Sequence, residues 1–294
     1  MQILLDGKKL ANLLEQKISN ILKKLNLNPL PKLGIIQVGD LEESNIYIRH
    51  KLDTAKRLGF EALLFKYPEN ISNETLLNEI KNIQQKVNGL IVQLPLPSHL
   101  NKSQILNNIN EEKDIDGLNE INAYKLKNQQ NGFLPATALG IIILANYYKI
   151  NLTTTSIGVV GESQIVGLPV KYALLYKNKN VTSYNKESNI DYLNKHDVLI
   201  VATGVKHLIT KKYVKHDASV FDVGIHRDKN NKITGDCDFE DIKDMCYAIT
   251  PVPGGVGPMT VISLIINLLI SYTKTHTQYK EYFKDILDLA NFSK

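Results

Sequence analysis

Tyr47 and Lys51 lie four residues apart in a stretch whose spacing predicts a helix, so their side chains share one face a turn apart. A lysine can give or take a proton near neutral pH once its surroundings lower its pKa. A tyrosine one turn back can stack on a flat ring and offer a hydroxyl. Alone the pair signifies little, because such residues usually belong to a solvated helix face. Two further segments set polar side chains beside stiff backbone. In VQLPLP (92–97), Gln93 comes just before two prolines, neither of which has the N–H a continuing strand needs. A cis peptide bond is expected there, and a rigid turn with Gln93 incidental is the competing reading. In KDIDG (113–117), Asp114 and Asp116 occupy a turn-like region where acids and glycine normally only shape the backbone.

A third segment, VVGESQIVGLP (159–169), follows an apolar strand. Gly161 suits a tight turn, Ser163 can donate to a phosphate, and Gly167 permits close helix packing. The N-terminus of the next helix then offers N–H groups and a positive dipole end to a pyrophosphate. Ser163 replaces the second glycine of the strict dinucleotide fingerprint, so a plain strand-to-helix turn competes, but the strand–loop–helix context favours nucleotide binding. Sites for NAD usually carry an acid at the end of the second strand, and sites for NADP a base. Here VTSY is followed by Asn185 and Lys186, and Lys186 is the candidate partner of a 2′-phosphate, which Glu162 would repel. The balance favours NADP, with NAD as the alternative. The seven histidines show no ligand spacing or triad context, and no metal site is expected.

These residues need a scaffold at the edge of a sheet. Leu10, Leu13, Leu14, Ile18, Ile21, Leu22 and Leu25 recur at helical spacing. LGIIQV, EALLFK and GLIVQL read as strands separated by helices over about 43–58, stopped by Gly59, and from a Ser72 cap to Val87. That alternation predicts a parallel sheet with helices on its faces. The Asn-rich passage 119–132 breaks the rhythm and reads as compositional bias. Helix resumes over 138–148. SIGVVG, VTSY, DVLIVAT and SVFDVG then give four more strands, with a helix after each of the first two, and two final helices complete the chain over about 259–274 and 279–289.

A chain of 294 residues points to two domains of roughly 150 residues each. With 43% hydrophobic and 22% charged residues it can bury a sizeable core. The net charge of +5 is spread along the chain without basic blocks, which argues against a nucleic-acid partner. Two cysteines, too few for a disulfide framework, fit a reducing compartment. No signal peptide is expected from MQILLDGKKL. The apolar run 261–270 reads as a core helix too short to span a membrane.

VGDLEESNIYIRHK closely resembles the VGD-x-x-x-S-x-x-Y-x-x-x-K stretch of the methylenetetrahydrofolate dehydrogenase/cyclohydrolase family. VQLPLP, KDIDG, the G-x-S-x-x-V-G-x-P loop, DVGIHR, TGD and ITPVPGGVGPMT match further family patterns in the same order. The resemblance implies that Lys51 is the catalytic residue of the cyclohydrolase step, that Tyr47 lines the folate site and that Gln93 bonds the lysine. Asp116 would bind the pterin, whose adjacent N–H groups suit a carboxylate, with Asp114 supporting the turn. Pro253 and Gly254 would also contact substrate. Gly161, Glu162, Ser163, Val166, Gly167, Lys186, Thr203, Gly204 and Ile225 would form the dinucleotide site. One departure is LPATALG (134–140), where Ala136 and Ala138 replace a Cys and a helix-starting Pro.

The implied fold is α/β: two three-layer α/β domains, the second a Rossmann-like dinucleotide-binding domain, with a cleft between them. Residues 1–137 with 262–294 would form the folate-binding catalytic domain and 138–261 the NAD(P)-binding domain. The implied activity is NADP-dependent oxidation of 5,10-methylenetetrahydrofolate followed by hydrolysis to 10-formyltetrahydrofolate in one-carbon metabolism. Polyglutamylated folate is included among the substrates. A cytoplasmic homodimer without nucleic-acid or membrane partners is expected. A monofunctional dehydrogenase, a non-catalytic nucleotide- or folate-binding protein and an amino-acid dehydrogenase are the alternatives. The joint presence of Tyr47, Lys51, Gln93 and Asp116 argues against the binding protein, and VQLPLP with KDIDG against the amino-acid enzyme.

Overall fold

The computed structural model describes residues 2–25, 27–230 and 232–290. Along the chain the strands are β1 (Ile3–Leu4), β2 (Lys32–Val38), β3 (Glu61–Tyr67), β4 (Gly89–Val92), β5 (Ile157–Val160), β6 (Val181–Tyr184), β7 (Val198–Val201), β8 (Ser219–Asp222), β9 (His226–Arg227), β10 (Ile233–Thr234) and β11 (Ala248–Ile249). The helices are α1 (Gly7–Lys24), α2 (Glu42–Arg57), α3 (Asn73–Ile83), α4 (Lys102–Asn107), α5 (Glu120–Lys127), α6 (Ala136–Tyr147), α7 (Gly167–Leu175), α8 (Phe239–Ile242), α9 (Val256–Thr275) and α10 (Lys284–Leu287). The chain divides into two compact units, one of residues 14–136 and 261–290, the other of residues 2–13 and 137–260.

In the first unit β3, β2 and β4 form a parallel sheet with β2 in the middle. β4 is buried throughout and β2 nearly so. Such continuous apolar runs suit parallel strands covered on both faces. Ile36, Val38, Leu90 and Val92 pack with Leu76, Ile80 and Ile83 of α3 and Ile105 and Leu106 of α4. Gly59, with φ +80°, ends α2 in the left-handed conformation that a side chain disfavours. Ser72 caps α3 by accepting from the Thr75 N–H. That helix stops at Ile83, short of the expected Val87, because the chain there is drawn towards the sheet: the Asn88 N–H donates to the Lys32 carbonyl at 2.9 Å. The Asn-rich passage is not structureless. It folds into α5, whose cap is Asn119.

The second unit is built on a six-stranded sheet ordered β1-β11-β8-β7-β5-β6, parallel at every pairing. The four expected strands form its β8-β7-β5-β6 portion. At its other edge Ile3 and Leu4 pair with Ala248 and Ile249, and residues 2–13 group with this sheet, whereas the sequence reading sets 1–137 in the folate-binding domain. Two-residue strands carry no periodicity that could announce this pairing. The helix expected after β6 is a six-residue 3-10 helix, Ile190–Lys195. α9 is 20 residues long, begins three residues before Met259, and extends the apolar run beyond its expected ends. It is the one described helix long and apolar enough to cross a membrane, and most of it is buried inside the protein. The last expected helix is instead a chain of 3-10 turns around α10, in which Phe283 and Ile286 are the buried anchors.

Candidate active site

β2 and β4 are neighbours in register, Ile36 opposite Val92, so the segments leaving their carboxyl ends must come together. That edge is where open α/β sheets bind ligands. After β2 the chain turns at Gly39, with φ +79°, into α2. After β4 it continues into Gln93, whose N–H still donates to the Ile36 carbonyl. KDIDG runs alongside β4, with the Leu90 N–H donating to the Lys113 carbonyl at 2.8 Å and Leu90 bridging Asp114. Three separate segments therefore meet at one corner.

Ser44, Ile48, Lys51, Thr54 and Ala55 form the buried face of α2. A lysine on such a face is unusual, because its charge loses water. Lys51 Nζ donates to Gln93 Oε1 at 2.9 Å. Gln93 is held in turn, its Nε2 donating to the Leu94 carbonyl at 2.7 Å, and the Leu94–Pro95 bond is cis. Burial pushes the Lys51 ammonium below its ordinary pKa, and the Asp116 charge partly opposes this. Burial raises the Asp116 carboxyl, opposed by Lys51. Tyr47, one turn before Lys51, lies at the exposed margin of the same helix face.

Asp114 has a different task. It is buried and accepts from the Leu118 N–H, the Asn119 N–H at 2.8 Å and Asn122 Nδ2 at 2.9 Å. Asn119 and Asn122 also donate to the Ile109 and Glu111 carbonyls. From α9, Asn267 Nδ2 donates to the Ile115 and Leu134 carbonyls at 2.8 and 3.0 Å. This framework fixes the loop that presents Asp116. The turn-supporting role expected of Asp114 holds. The three asparagines escape sequence reasoning, because they resemble surface residues until their burial is known.

In the second unit the dinucleotide-type loop depends on glycine. Gly161 has φ +103°, and a Cβ there would lie 2.1 Å from the Ala202 carbonyl oxygen. A Cβ on Gly167 would lie 1.8 Å from the Gly161 oxygen. Ser163 Oγ accepts from the Val166 N–H at 3.2 Å and shapes the entry to α7. At Gly204, φ +70°, a Cβ would meet nothing within 4 Å, so backbone is left uncovered beyond the carboxyl end of β7. A turn closed by two glycines and leading to a helix N-terminus, with open backbone beside it, fits a dinucleotide. Glu162 leans towards β6, where Ser183 and Asn185 donate to its carboxylate. Lys186 is exposed beyond the same strand. Ile225 is exposed after β8. Pro253 follows a cis bond and Gly254 has φ +109°, and both lie in this unit.

The chain matches the tetrahydrofolate dehydrogenase/cyclohydrolase catalytic domain over residues 5–116 and that family's NAD(P)-binding domain over residues 135–276. The bifunctional protein FolD of Metamycoplasma arthritidis is 44% identical over 294 residues, covering 99% of this chain and 100% of that protein. The chain belongs to the tetrahydrofolate dehydrogenase/cyclohydrolase family. The FolD structure from Campylobacter jejuni has a TM-score of 0.91 and 36% identity, covering 94% of this chain and 100% of that one. The Trypanosoma brucei dehydrogenase–cyclohydrolase, complexed with NADP and an inhibitor, has a TM-score of 0.88 and 28% identity over 94% of this chain and 98% of that one. The second unit is accordingly a Rossmann-like NAD(P)-binding domain.

Within this family member, sequence reasoning missed the role of Asp236. Its side chain is fully buried and accepts from the Thr203 N–H, Thr203 Oγ1 at 2.9 Å and the Gly204 N–H at 3.0 Å. Its other oxygen lies 2.7 Å from His226 Nε2. Beside it Asp222 accepts from the Gly224, Asp236 and Cys237 N–H groups. Two carboxylates thus tie together the loops after β7, β8 and β10 that carry Thr203, Gly204 and Ile225. The TGD segment was the available signal. The departure at Ala136 and Ala138 is absorbed: α6 starts without the proline, both alanines are buried, and Gly140 lies close against Met259.

Proposed function

We propose that this chain oxidises 5,10-methylenetetrahydrofolate with NADP, NAD being the alternative acceptor, and hydrolyses the methenyl product to 10-formyltetrahydrofolate. The observation that carries this reading is the buried Lys51 amine, of lowered pKa, bonded to Gln93 and opposed by Asp116. A bound dinucleotide supplies the hydride acceptor. Gly161, Ser163, Val166 and Gly167 would hold its phosphates, and Thr203, Gly204 and Ile225 its nicotinamide half. For that step the chain's own contribution is positioning, which can supply a large share of a rate enhancement.

Hydrolysis asks more of the side chains. Asp116 would accept from the pterin N–H groups and orient the ring, with Tyr47 beside it on the same unit. As water oxygen bonds to the methenyl carbon, neutral Lys51 takes a water proton. It returns that proton to N5 as the N5–carbon bond breaks, and the remaining hydroxyl proton leaves to solvent as the carbon–oxygen double bond of the N10 formyl group forms. A lysine at its ordinary pKa would be nearly all protonated and unable to begin. Gln93 offers only an acceptor oxygen to the amine, which orients it without adding a charge.

The net charge of +5 supports an anionic, polyglutamylated substrate. The buried free thiols of Cys237 and Cys246 support a reducing, cytoplasmic setting. The family resemblance supports a homodimer. The test is an absorbance assay with 5,10-methylenetetrahydrofolate and each dinucleotide in turn. The reading expects reduced dinucleotide without lasting methenyl product. No reduction with either dinucleotide by folded protein would sink it.

A further inference from the structure

In the sheet order β8-β7-β5-β6 the carboxyl ends of β8, β7 and β5 lie side by side, so the segments that follow them share one edge. Close contacts chain those segments together. The Gly161 turn after β5 rests on the chain after β7: a Cβ on Gly161 would lie 2.1 Å from the Ala202 oxygen and 3.4 Å from the Thr203 nitrogen. Thr203 and Gly204 are held in turn by Asp236 Oδ2, which accepts from the Thr203 hydroxyl at 2.9 Å and the Gly204 N–H at 3.0 Å. Asp236 Oδ1 lies 2.7 Å from His226 Nε2, and His226 directly follows Ile225 beyond β8. A carboxylate has no proton to give, so the imidazole N–H donates. Asp236 itself follows β10, which pairs with β9 at Thr234 and His226, so this clasp closes the base of the β9–β10 ribbon.

Asp236 is fully buried, whereas His226 is 21% exposed. The backbone is bare where the two meet, since a Cβ on Gly224 would lie 2.1 Å from Asp236 Oδ1. A buried carboxylate keeps one orientation only while both of its oxygens have donors. One oxygen is filled by the turn it holds, and the other by a side chain from the neighbouring strand end. We infer that His226 and Asp236 are positioning residues of the dinucleotide site, a clasp that fixes the Thr203–Gly204 turn against the strand end carrying Ile225. Neither needs to touch the dinucleotide. Each acts through Thr203, Gly204 and Ile225, and through Ala202 on the Gly161 turn. Binding sites depend on such outer hydrogen bonds, because backbone that shifts by a fraction of an ångström no longer meets its ligand. This rests on the NAD(P) reading of the second unit and adds the pair that holds its loops in place.

The test takes His226→Leu and His226→Gln, in the full-length protein, through two assays. One is reduction of NADP and of NAD; the other is hydrolysis of the methenyl substrate without dinucleotide, which uses the Lys51 corner. Losing one hydrogen bond to a charged group should raise the dinucleotide KM of His226→Leu by about tenfold, with kcat for hydrolysis held within about twofold. His226→Gln, whose amide keeps an N–H for Asp236, should recover most of the loss. An unchanged dinucleotide KM in His226→Leu, equal defects in the two variants, or hydrolysis falling in step with reduction overturns the proposal while leaving the dinucleotide site standing. Should His226→Leu not fold, His226→Ala takes its place, and failure of both to fold makes the clasp a stability device and overturns its positioning role. Reduction of neither dinucleotide by the native protein is a separate outcome, which removes the underlying reading as well.

Discussion

Lys51 and Asp116 place opposite charges in one corner of the first unit, and each offsets part of the other's loss of water. Burial dominates for both, so the lysine is shifted towards its neutral form and the carboxyl towards its protonated form. The amine is thereby shifted towards its neutral form from an ordinary pKa of 10.5, the direction a proton acceptor requires.

The cyclohydrolase rate should therefore rise with pH along a limb lying below the ordinary lysine range. Asp116 favours the charged amine, so Asp116→Asn should lower the Lys51 pKa further and move that limb to more acid pH, alongside weaker folate binding. A pH profile of methenyl hydrolysis by the two proteins checks the sign. A limb displaced to higher pH in Asp116→Asn would contradict it.

Gln93 holds the Lys51 amine through its side-chain oxygen. Gln93→Leu should lower hydrolysis by about tenfold to a hundredfold, part of the 10²–10⁴ that a placed acid–base group contributes. Stopped-flow hydrolysis of the methenyl substrate measures it. An unchanged rate would mean that the 2.9 Å bond is only packing.

Much of the scaffold could be read from apolar runs: β2, β4, β5, β7 and β8 are almost wholly buried, and strands of that kind announce themselves. Lys51, Gln93 and Asp116 were legible through their motifs, and the structure brings them to one corner. β1 and β11 were not, because two residues have no period and their pairing spans more than two hundred positions. Asn119, Asn122 and Asn267 were hidden for another reason. In an Asn-rich chain, a structural asparagine differs from a surface one only in being buried and bonded.

Burial raises the Asp114 carboxyl to about 6, above its usual 3.8. Between those values the native state binds more protons than the unfolded chain. Its contribution to stability is thus present at about pH 4 and lost as pH rises through 6. Asp222, also raised to about 6 chiefly by burial, acts in the same sense. Asp114→Asn should be less stable overall, because its amide meets three donors. It should also show a smaller fall in unfolding free energy between about pH 4.5 and 6.5, by on the order of 1–2 kcal/mol. Urea titrations at both pH values test this, and an identical fall in both proteins would refute it.

Gly167 leaves no room for a methyl group, since a Cβ would lie 1.8 Å from the Gly161 oxygen. Gly167→Ala must displace the loop that precedes α7. The KM for either dinucleotide should rise by at least about tenfold, as expected when close backbone approach to a pyrophosphate is lost. Steady-state kinetics with varied dinucleotide would reveal an unaltered KM if the loop were only a structural turn.

The most direct test of the central claim tracks Lys51→Met through both reactions in one cuvette. Dinucleotide reduction should continue and methenyl product should build up, with its hydrolysis slowed at least about a hundredfold towards the uncatalysed rate. If the variant still cleared methenyl product as fast as the native protein, Lys51 would not be the base and the role assigned to this corner of the fold would fail.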